Sequence, residues 1–367
     1  MLVLRARGGA RAAGDSRLTG FGALAGGGLA WCEEGEVVDL SGLGDVFARP
    51  TLNELLAAGR SAWQGAIAAA RSHDGPRVPE REARLRLPFE VADYVDFYSS
   101  LEHATNLGRM FRPDQEPLLP NWRWLPVAYH GRAGSVVVSE TDVLRPRGQR
   151  KSPDEDAPTF GPSRRLDFEL ELGFVVGVPT QLGEQVPVEA FADHVFGVVL
   201  VNDWSARDIQ AWEYVPLGPN LGKSFQTSIS AWVTPLALLE GACVEAPPQE
   251  PPPLPHLAGG RDWGLDLALG VELNGETVST GNARTLYWTL PQQLAHATSN
   301  GAPLRTGDLM ASGTISGSEP GSEGSMIELF RGERFLEDGD EVVLRGRAAN
   351  GVELGEVRGR VLPSHPG

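Results

Sequence analysis

Residues 165–174 alternate between charged and apolar side chains. Because successive residues of a β-strand point to opposite faces, one face carries leucine and phenylalanine and the other carries acids. The acidic face is formed by Asp167, Glu169 and Glu171. Carboxylates at positions i and i+2 lie ~7 Å apart along a strand, and a hard cation between them would remove their repulsion. The same pattern is typical of the solvated outer face of an edge strand, so both interpretations stay open.

Another acid follows a long apolar run. Residues 196–201 lack polar alternation, which predicts a strand buried on both faces and ending in Asn202 and Asp203. An acid at the end of a buried strand is well placed to bind a ligand. Alternatively, Asp203 only helps to cap the next helix, whose start is indicated by Ser205 and Asp208.

That predicted helix carries polar side chains on one face. Arg207, Gln210 and Tyr214 stand at positions i, i+3 and i+7 and therefore point together. A guanidinium, an amide and a phenol in this arrangement suit an anionic, oxygen-rich molecule, although a solvated helix face is the plainer alternative. A loop rich in glycine and proline follows and ends in Lys223. It is not a phosphate loop, because Pro219 interrupts the spacing and no strand precedes it.

A histidine lies close to further polar side chains. His103 follows Asp96 and Tyr98 at short range, and its imidazole can take a proton near neutral pH. A lone histidine also serves as a buried structural residue, so its role stays open here. Scattered acids without clusters of histidine or cysteine favour magnesium or calcium over zinc. The sequence contains no GxSxG nucleophile elbow and no plausible cysteine pairing.

Composition limits the classes of protein and partner. With 367 residues, 41% of them hydrophobic, the chain can form two domains around a sizeable core. A net charge of −16 makes nucleic acid and membranes poor partners, so an anionic substrate would need a local cationic pocket. The two cysteines and the lack of an apolar run of ~18 residues or of a signal peptide predict a cytoplasmic protein.

Turn-forming residues are frequent, with 45 glycines and 28 prolines, and they favour a mainly β protein. Residues 1–88 are predicted to be a small separate domain with strands at 29–32 and 36–40. A helix is predicted from Thr51, where Glu54 completes a capping box. Residues 89–367 are predicted to be the catalytic domain, with strands at 135–138, 167–176, 196–202, 230–235, 265–273, 341–346 and 353–361. The proline-rich residues 246–258 predict an extended surface loop.

Several strings resemble the fumarylacetoacetase (fumarylacetoacetate hydrolase) family. They are residues 93–105, 110–112, 119–122, 129–132, 167–171, 202–210, 212–219, 222–225 and 311–317. The resemblance runs from about residue 93 to residue 361. It implies a mainly β fold, with a small SH3-like N-terminal barrel followed by a large β-sandwich roll, and assembly as a homodimer.

The resemblance also implies the roles of individual residues. A calcium or magnesium ion would be held by Asp96, Glu169, Glu171 and Asp203. A second magnesium position would involve Asp203, Lys223 and Thr227. His103 would be the general base, oriented by Glu328, and the oxyanion would be stabilised by Arg207, Gln210 and Lys223. The substrate would be contacted by Tyr98, Arg112, Tyr129, Gln210, Tyr214 and Thr314.

The activity implied by the resemblance is hydrolysis of the carbon–carbon bond of 4-fumarylacetoacetate to fumarate and acetoacetate. This is the last step of tyrosine and phenylalanine catabolism, with a metal-chelated diketo acid and water activated by His103. The chain departs from the family pattern in residues 1–17, at Gln226, where glycine is usual, and in the short segment 330–335. Two alternatives stay open: another diketo-acid (acylpyruvate) hydrolase or decarboxylase of the superfamily, or a non-catalytic calcium-binding β-sandwich.

Overall fold

A computed structural model describes residues 17–152 and 154–366 of the chain. The departure expected in residues 1–17 therefore lies, apart from Arg17, outside the described residues. The first elements of the described chain are the strands β1 (Gly20–Leu24), β2 (Leu29–Glu33), β3 (Glu36–Asp39), β4 (Arg77–Pro79) and β5 (Leu85–Arg86), with the helices α1 (Asn53–Ala57) and α2 (Arg60–Ser72). The strands form an antiparallel sheet in the order β4-β3-β2-β1-β5.

The helix predicted from Thr51 is in fact two helices. Gly59, with φ of 83°, breaks the helical path before α2, a backbone conformation that suits glycine. The predicted capping box is wrong, because the N-cap of α1 is Leu52 and makes no side-chain cap. Glu54 pairs with Arg49 instead. The two helices share a buried apolar face, which includes Trp63 and the leucines of α1.

The rest of the described chain adds nineteen further strands and five helices in chain order. They are β6 (Tyr94–Phe97), α3 (Leu101–Phe111), β7 (Ala128–His130), β8 (Val136–Val138), β9 (Val143–Leu144), β10 (Arg147–Arg150), β11 (Thr159–Pro162), β12 (Leu166–Asp167), β13 (Leu170–Val176), α4 (Phe191–His194), β14 (Val195–Asp203), β15 (Ser205–Ala206), α5 (Arg207–Glu213), β16 (Thr227–Ile229), β17 (Thr234–Pro235), β18 (Cys243–Val244), β19 (Gly264–Leu265), β20 (Leu267–Leu273), β21 (Glu276–Asn282), α6 (Leu290–Thr298), β22 (Leu309–Ala311), α7 (Met326–Leu329), β23 (Glu341–Ala348) and β24 (Val357–Leu362).

Two large sheets enclose the main core. The central sheet runs in the order β7-β6-β22-β13-β14-β16-β8, with β17 also paired to β14, and the second sheet runs β21-β20-β23-β24-β9. Leu172 and Leu200 of the central sheet share a hydrophobic cluster with Leu269 and Leu344 of the second sheet. Because the two inner faces remove many large apolar side chains from water, this layer is the main source of stability.

The other face of the central sheet is also covered. Val175 and Val199 belong to one apolar cluster with Trp31 and Trp63 of the N-terminal elements. The central strands β13 and β14 are therefore buried at every position, which explains why residues 196–201 read as one unbroken apolar run.

The mainly β prediction is confirmed, with curled half-barrel sheets as the dominant feature. Every predicted strand except 230–235 overlaps an observed one, although the strand predicted at 353–361 begins only at Val357 and the strand predicted at 167–176 is interrupted before Leu170. That segment is largely irregular, with only Thr234–Pro235 in a strand, while the strand Thr227–Ile229 was not predicted. The helix start predicted at Ser205 is wrong, because residues 205–206 pair with β12 and α5 begins at Arg207 without a side-chain cap. The division at residues 88 and 89 stays a prediction. Among the described residues, the helices lack the length and apolar character of a membrane span.

Candidate active site

Four acids from three strands of the central sheet meet at one point. Asp96 lies on β6, Glu169 immediately precedes β13, Glu171 is the second residue of β13, and Asp203 ends β14. One carboxylate oxygen from each acid lies within 4.8 Å of the others. All four side chains are buried, with at most 3% of each residue exposed. The solvated edge strand considered for the acidic face is therefore wrong, and a buried carboxylate cluster takes its place.

Strand register brings the acids together. In the sheet, Glu171 stands opposite Val201, two residues before Asp203, and Asp96 stands opposite Ala311 on β22, which itself pairs with β13. Directly opposed residues on neighbouring strands lie only ~5 Å apart. The cluster is therefore a consequence of sheet pairing, although its members are far apart in the chain.

Part of this cluster lacks any hydrogen-bond donor. Among the described residues, none donates to Oδ1 of Asp96 or to either carboxylate oxygen of Glu171. Burial, with the charge of Asp203 next in importance, raises the pKa of Asp96 well above its ordinary value. Burial and the charge of Asp96 do the same to the pKa of Glu171. Buried oxygens without donors, in a set of carboxylates alone, fit a hard divalent cation.

Two cationic side chains, those of Lys223 and Arg207, contact Glu169 of the cluster. Lys223 Nζ contacts Glu169 and lies 2.8 Å from Oδ2 of Asp203. Burial raises the pKa of Glu169, but the charges of Lys223 and Arg207 outweigh it and lower that pKa. The charges of Asp203 and Glu169 likewise overcome burial and raise the pKa of Lys223. Lys223 is therefore an ammonium donor within the cluster.

Asp203 is the best-hydrogen-bonded acid of the cluster. The Tyr129 hydroxyl donates to its Oδ2 at 2.6 Å, and the Thr227 hydroxyl donates to its Oδ1 at 2.8 Å. Thr227 is its direct partner across strands β14 and β16. The structure thus brings together the three residues expected at a second metal position. The side-chain amide of Gln226 donates to the Thr141 carbonyl and to the Ser228 hydroxyl, both at 3.4 Å.

The loop before Lys223 packs tightly on α5. A Cβ at Gly222 would lie 2.8 Å from the Cβ of Gln210, so only glycine allows this approach. The Glu213 carboxylate accepts the backbone N–H groups of Asn220 and Gly222. These contacts hold the loop so that Lys223 enters the cluster from the side of Arg207 and Gln210.

Arg207 connects α5 with the cluster. Its Nη2 lies 2.8 Å from Oε1 of Glu169, and its Nη1 donates to Oε1 of Gln210 at 3.3 Å. The charges of Glu169 and Asp167 overcome burial and raise its pKa. Tyr214, predicted to share this face, caps the end of α5 and is 45% exposed. The structure therefore joins Arg207, Gln210 and Lys223 but places Tyr214 at the surface.

His103 lies on the wall of the cluster next to Glu169. Its backbone N–H donates to Ser100, the N-cap of α3. Nδ1 lies 2.6 Å from Oε2 of Glu328, and Nε2 lies 3.9 Å from Oε1 of Glu169. Burial raises the pKa of Glu328, but its interactions with His103 lower it to about 2. The ionised Glu328 accepts a hydrogen bond from Nδ1–H, so Nε2 is the ring nitrogen that faces the cluster.

Three predicted substrate contacts remain: Tyr98, Arg112 and Thr314. The Tyr98 ring packs edge-on against the imidazole at 5.3 Å, and burial raises the pKa of its hydroxyl. Thr314 is 2% exposed, and its hydroxyl has no hydrogen-bond partner among the described residues. Arg112 donates through Nη2 to the Pro117 carbonyl at 2.8 Å. The charge of Arg112 lowers the pKa of the Tyr98 hydroxyl slightly, against the larger effect of burial.

Sequence reasoning missed the residues that hold Glu328. Its carboxylate accepts hydrogen bonds from Asn106, Ser316 and Ser325 at 3.0, 3.0 and 2.6 Å. Asn106 was detectable, because it stands three residues after His103 on the same helix face. No sequence signal identified the role of Ser316 or Ser325, since their positions depend on contacts with a distant part of the chain: Ser325 forms an isolated bridge with Glu169, and Ile315, next to Ser316, donates its backbone N–H to Leu170.

Fold and site together define a class of enzyme: a mainly β hydrolase in which four buried carboxylates adjoin a histidine–glutamate pair. Residues 93–362 match the family model described as fumarylacetoacetate (FAA) hydrolase C-terminal. The chain belongs to this fumarylacetoacetate hydrolase family.

Full-length relatives agree with this assignment. The fumarylacetoacetase of Caenorhabditis elegans is 49% identical over 356 residues, which cover 87% of this chain and 85% of that protein. The fumarylacetoacetase of Homo sapiens is 45% identical over the same length and coverage.

Solved structures share the fold at lower identity. Fumarylacetoacetate hydrolase from Exiguobacterium antarcticum has a TM-score of 0.59 at 18% identity and covers 94% of this chain and 99% of its own. Maleylpyruvate hydrolase from Sphingobium sp. SYK-6, in complex with manganese(II) and pyruvate, has a TM-score of 0.58 at 18% identity, covering 94% and 100%.

Proposed function

We propose that this chain hydrolyses the carbon–carbon bond of 4-fumarylacetoacetate to fumarate and acetoacetate, the last step of tyrosine and phenylalanine catabolism. The observation that carries the proposal is the position of His103, whose Nε2 faces the four-acid cluster while Nδ1 is held by Glu328. Relatives at 42–49% identity, all named fumarylacetoacetase, support this choice of substrate. A calcium-binding scaffold would need the acids but not the paired histidine.

We propose magnesium or calcium as the resident ion, held by Asp96, Glu169, Glu171 and Asp203. Their oxygen-only donor set and the orphaned oxygens of Glu171 support a hard cation. Such an ion supplies Lewis acidity, which polarises a carbonyl and offsets enolate charge. Thr227 and Lys223 adjoin Asp203 where a second ion would bind, and Lys223 contributes positive charge there while it stays protonated.

His103 acts as the general base. Its Nε2 lone pair takes a proton from water, and the ionised Glu328 stabilises the resulting imidazolium. The hydroxide oxygen bonds to the fumaroyl carbonyl carbon. The bond from that carbon to the neighbouring methylene then breaks, and its electron pair stays on the methylene carbon. That carbon takes the proton back and becomes the methyl group of acetoacetate.

Arg207, Gln210 and Lys223 stabilise the oxyanion that forms on the attacked carbonyl. All three lie on the α5 side of the cluster, and both cations are buried. One buried donor of this kind typically contributes ~3 kcal/mol to transition-state stabilisation.

The distal carboxylate and the diketo oxygens require donors around the reaction centre. We assign this role to Tyr98, Arg112, Tyr129, Gln210, Tyr214 and Thr314. The unpartnered hydroxyl of Thr314 and the unpartnered Nε of Arg112 support substrate binding, because buried donors of native proteins normally find an acceptor. Tyr214 is the exposed member of this set, and its position at the end of α5 suits a contact made at the entrance.

We also propose a homodimer that works in the cytoplasm. Exposed apolar side chains follow α5, with Val215 67% and Leu217 95% exposed, as a subunit contact requires. Cys32 and Cys243 are free thiols, which suits a reducing compartment.

The substrate assignment is tested by following the absorbance of the diketo acid with the purified chain. We expect turnover of fumarylacetoacetate to exceed turnover of acylpyruvates and of oxaloacetate by at least about tenfold in kcat/KM. Preferential hydrolysis of an acylpyruvate would assign the chain to the other hydrolases of the superfamily. Preferential loss of carbon dioxide from oxaloacetate would assign it to the decarboxylases.

A further inference from the structure

Asp167 is a buried acid that the proposed function does not use. It lies two residues before Glu169 on the predicted acidic face, yet it is outside the four-acid cluster. Its side chain is fully buried. Its Oδ2 accepts a hydrogen bond from Nε of Arg207 at 2.8 Å. This contact fixes the inner end of a guanidinium whose outer end reaches the cluster.

The same carboxylate also holds the segment that carries Glu328. Its Oδ1 accepts the backbone N–H of Met326 at 2.8 Å, and its Oδ2 accepts the backbone N–H of Ile327 at 3.2 Å. These two residues begin α7, and Glu328 comes next. One carboxylate therefore contacts both the cation of the oxyanion site and the backbone adjoining the partner of His103.

The outer end of Arg207 reaches the acid cluster. Nη2 lies 2.8 Å from Oε1 of Glu169, but no described residue accepts an aligned hydrogen bond from it. A guanidinium is planar, so a bond at Nε sets the direction of every other N–H. The hydrogen bond that Nε donates to Asp167 thus determines where the N–H groups of Nη2 point.

We propose that Asp167 is a positioning residue for this reaction, which orients Arg207 towards the developing oxyanion and fixes Glu328 behind His103. The inference rests on the proposed function and adds a residue to it. Asp167 is not a member of the four-acid cluster, and among the residues assigned to the oxyanion its carboxylate contacts Arg207. Its loss should therefore lower kcat and leave both KM and metal affinity nearly unchanged.

The first test is Asp167→Asn, assayed with fumarylacetoacetate. The amide oxygen can still accept the N–H of Met326, while the charge that holds Arg207 is removed. We expect kcat to fall about 10²-fold, with KM changed by less than about threefold. The matched control is Asp208→Asn. Asp208 lies next to Arg207 on α5, but its carboxylate accepts hydrogen bonds from Ser163 and from the backbone of Arg164. This variant should retain kcat.

A double-mutant cycle separates positioning from a merely structural role. If Asp167 acts mainly through Arg207, then Asp167→Asn should lower kcat by less than about threefold in an Arg207→Ala background. An equal loss in both backgrounds would overturn the proposal. So would an Asp167→Asn enzyme that loses thermal stability but keeps kcat below its unfolding temperature.

A third variant keeps the proposal testable if Asp167→Asn does not fold. Arg207→Lys retains the positive charge but lacks both Nε and the planar fork. We expect its kcat to stay more than about tenfold below that of the wild type while metal binding persists. A wild-type kcat in this variant would show that orientation by Asp167 is dispensable. Lack of turnover by the wild type itself would instead count against the proposed function.

Discussion

Nδ1 of His103 lies 2.6 Å from Oε2 of Glu328, although 225 positions separate the two residues in the chain. Glu328 also accepts hydrogen bonds from Ser325 and Ser316, and these contacts fix the carboxylate in one orientation. With its pKa lowered to about 2, Glu328 stays ionised throughout the neutral range. The pair therefore fixes the imidazole with Nε2 at the edge of the carboxylate cluster.

Glu328→Gln should remove most of the turnover and leave the fold intact. The amide lacks the charge that stabilises the imidazolium, so we expect kcat to fall about 10²- to 10⁴-fold. Steady-state kinetics at neutral pH measures this loss. Glu102→Gln is the matched control, because Glu102 lies next to His103 on α3 and its Oε2 has no hydrogen-bond partner among the described residues. Similar losses in both variants would contradict the special role of Glu328.

Glu171→Gln should have opposite effects on the metal-free and metal-bound protein. Both carboxylate oxygens of Glu171 lack donors, and Asp96 lies beside them. Removing one of two adjacent buried charges should raise the melting temperature in EDTA. The same change removes a metal ligand, so added magnesium or calcium should no longer stabilise the protein. Differential scanning calorimetry with and without the ion measures both effects. A metal-induced rise in melting temperature equal to that of the wild type would exclude Glu171 as a ligand.

Stabilisation by metal should increase with pH. Burial raises the pKa values of Asp96 and Glu171, so protons compete with the ion for these acids. Without metal, both acids stabilise the fold when protonated, below their ordinary pKa, and this contribution is lost as pH rises through the raised pKa. Metal replaces the protons, and at 100 times its Kd it contributes ~2.7 kcal/mol. Metal-induced shifts in melting temperature between pH 5 and pH 8 test this trend, and a constant shift would contradict it.

Asp308, which lies outside the acid cluster, makes the free energy of unfolding depend on pH. Burial raises its pKa to about 6, and its Oδ2 accepts the backbone N–H of Arg305 at 2.8 Å. The protonated form stabilises the fold below the ordinary pKa, and this gain is lost as pH rises through about 6. Asp308→Asn should therefore be more stable than the wild type at pH 8, by up to about 3 kcal/mol, and lose this advantage at pH 4. Thermal unfolding at both pH values measures the difference, while kcat should stay unchanged.

Much of the site was predictable from local patterns. The alternation around Glu169 gave a strand with acids on one face, and the apolar run before Asp203 gave a fully buried strand. The i, i+3 spacing of Arg207 and Gln210 correctly placed the two side chains together. These signals are local because side-chain direction repeats every two residues in a strand and about every 3.6 in a helix.

Other features depended on contacts that no local pattern contains. Periodicity does not tell whether a polar face meets water, so the burial of Glu171 became visible only once the neighbouring strands were in place. Ser205 carried a helix-capping signal, but pairing with β12 made it a strand residue. Thr227 was not placed in a strand because its neighbours are polar, yet it pairs directly with Asp203.

The most direct measurement follows fumarylacetoacetate absorbance with wild type and His103→Ala after treatment with EDTA and again after adding magnesium or calcium. We expect the wild type to be inactive in EDTA and to recover with the ion. We expect His103→Ala to stay inactive although the ion still raises its melting temperature. Full activity of the wild type in EDTA, or turnover by His103→Ala near the wild-type rate, would contradict a mechanism in which His103 activates water beside a carboxylate-bound cation.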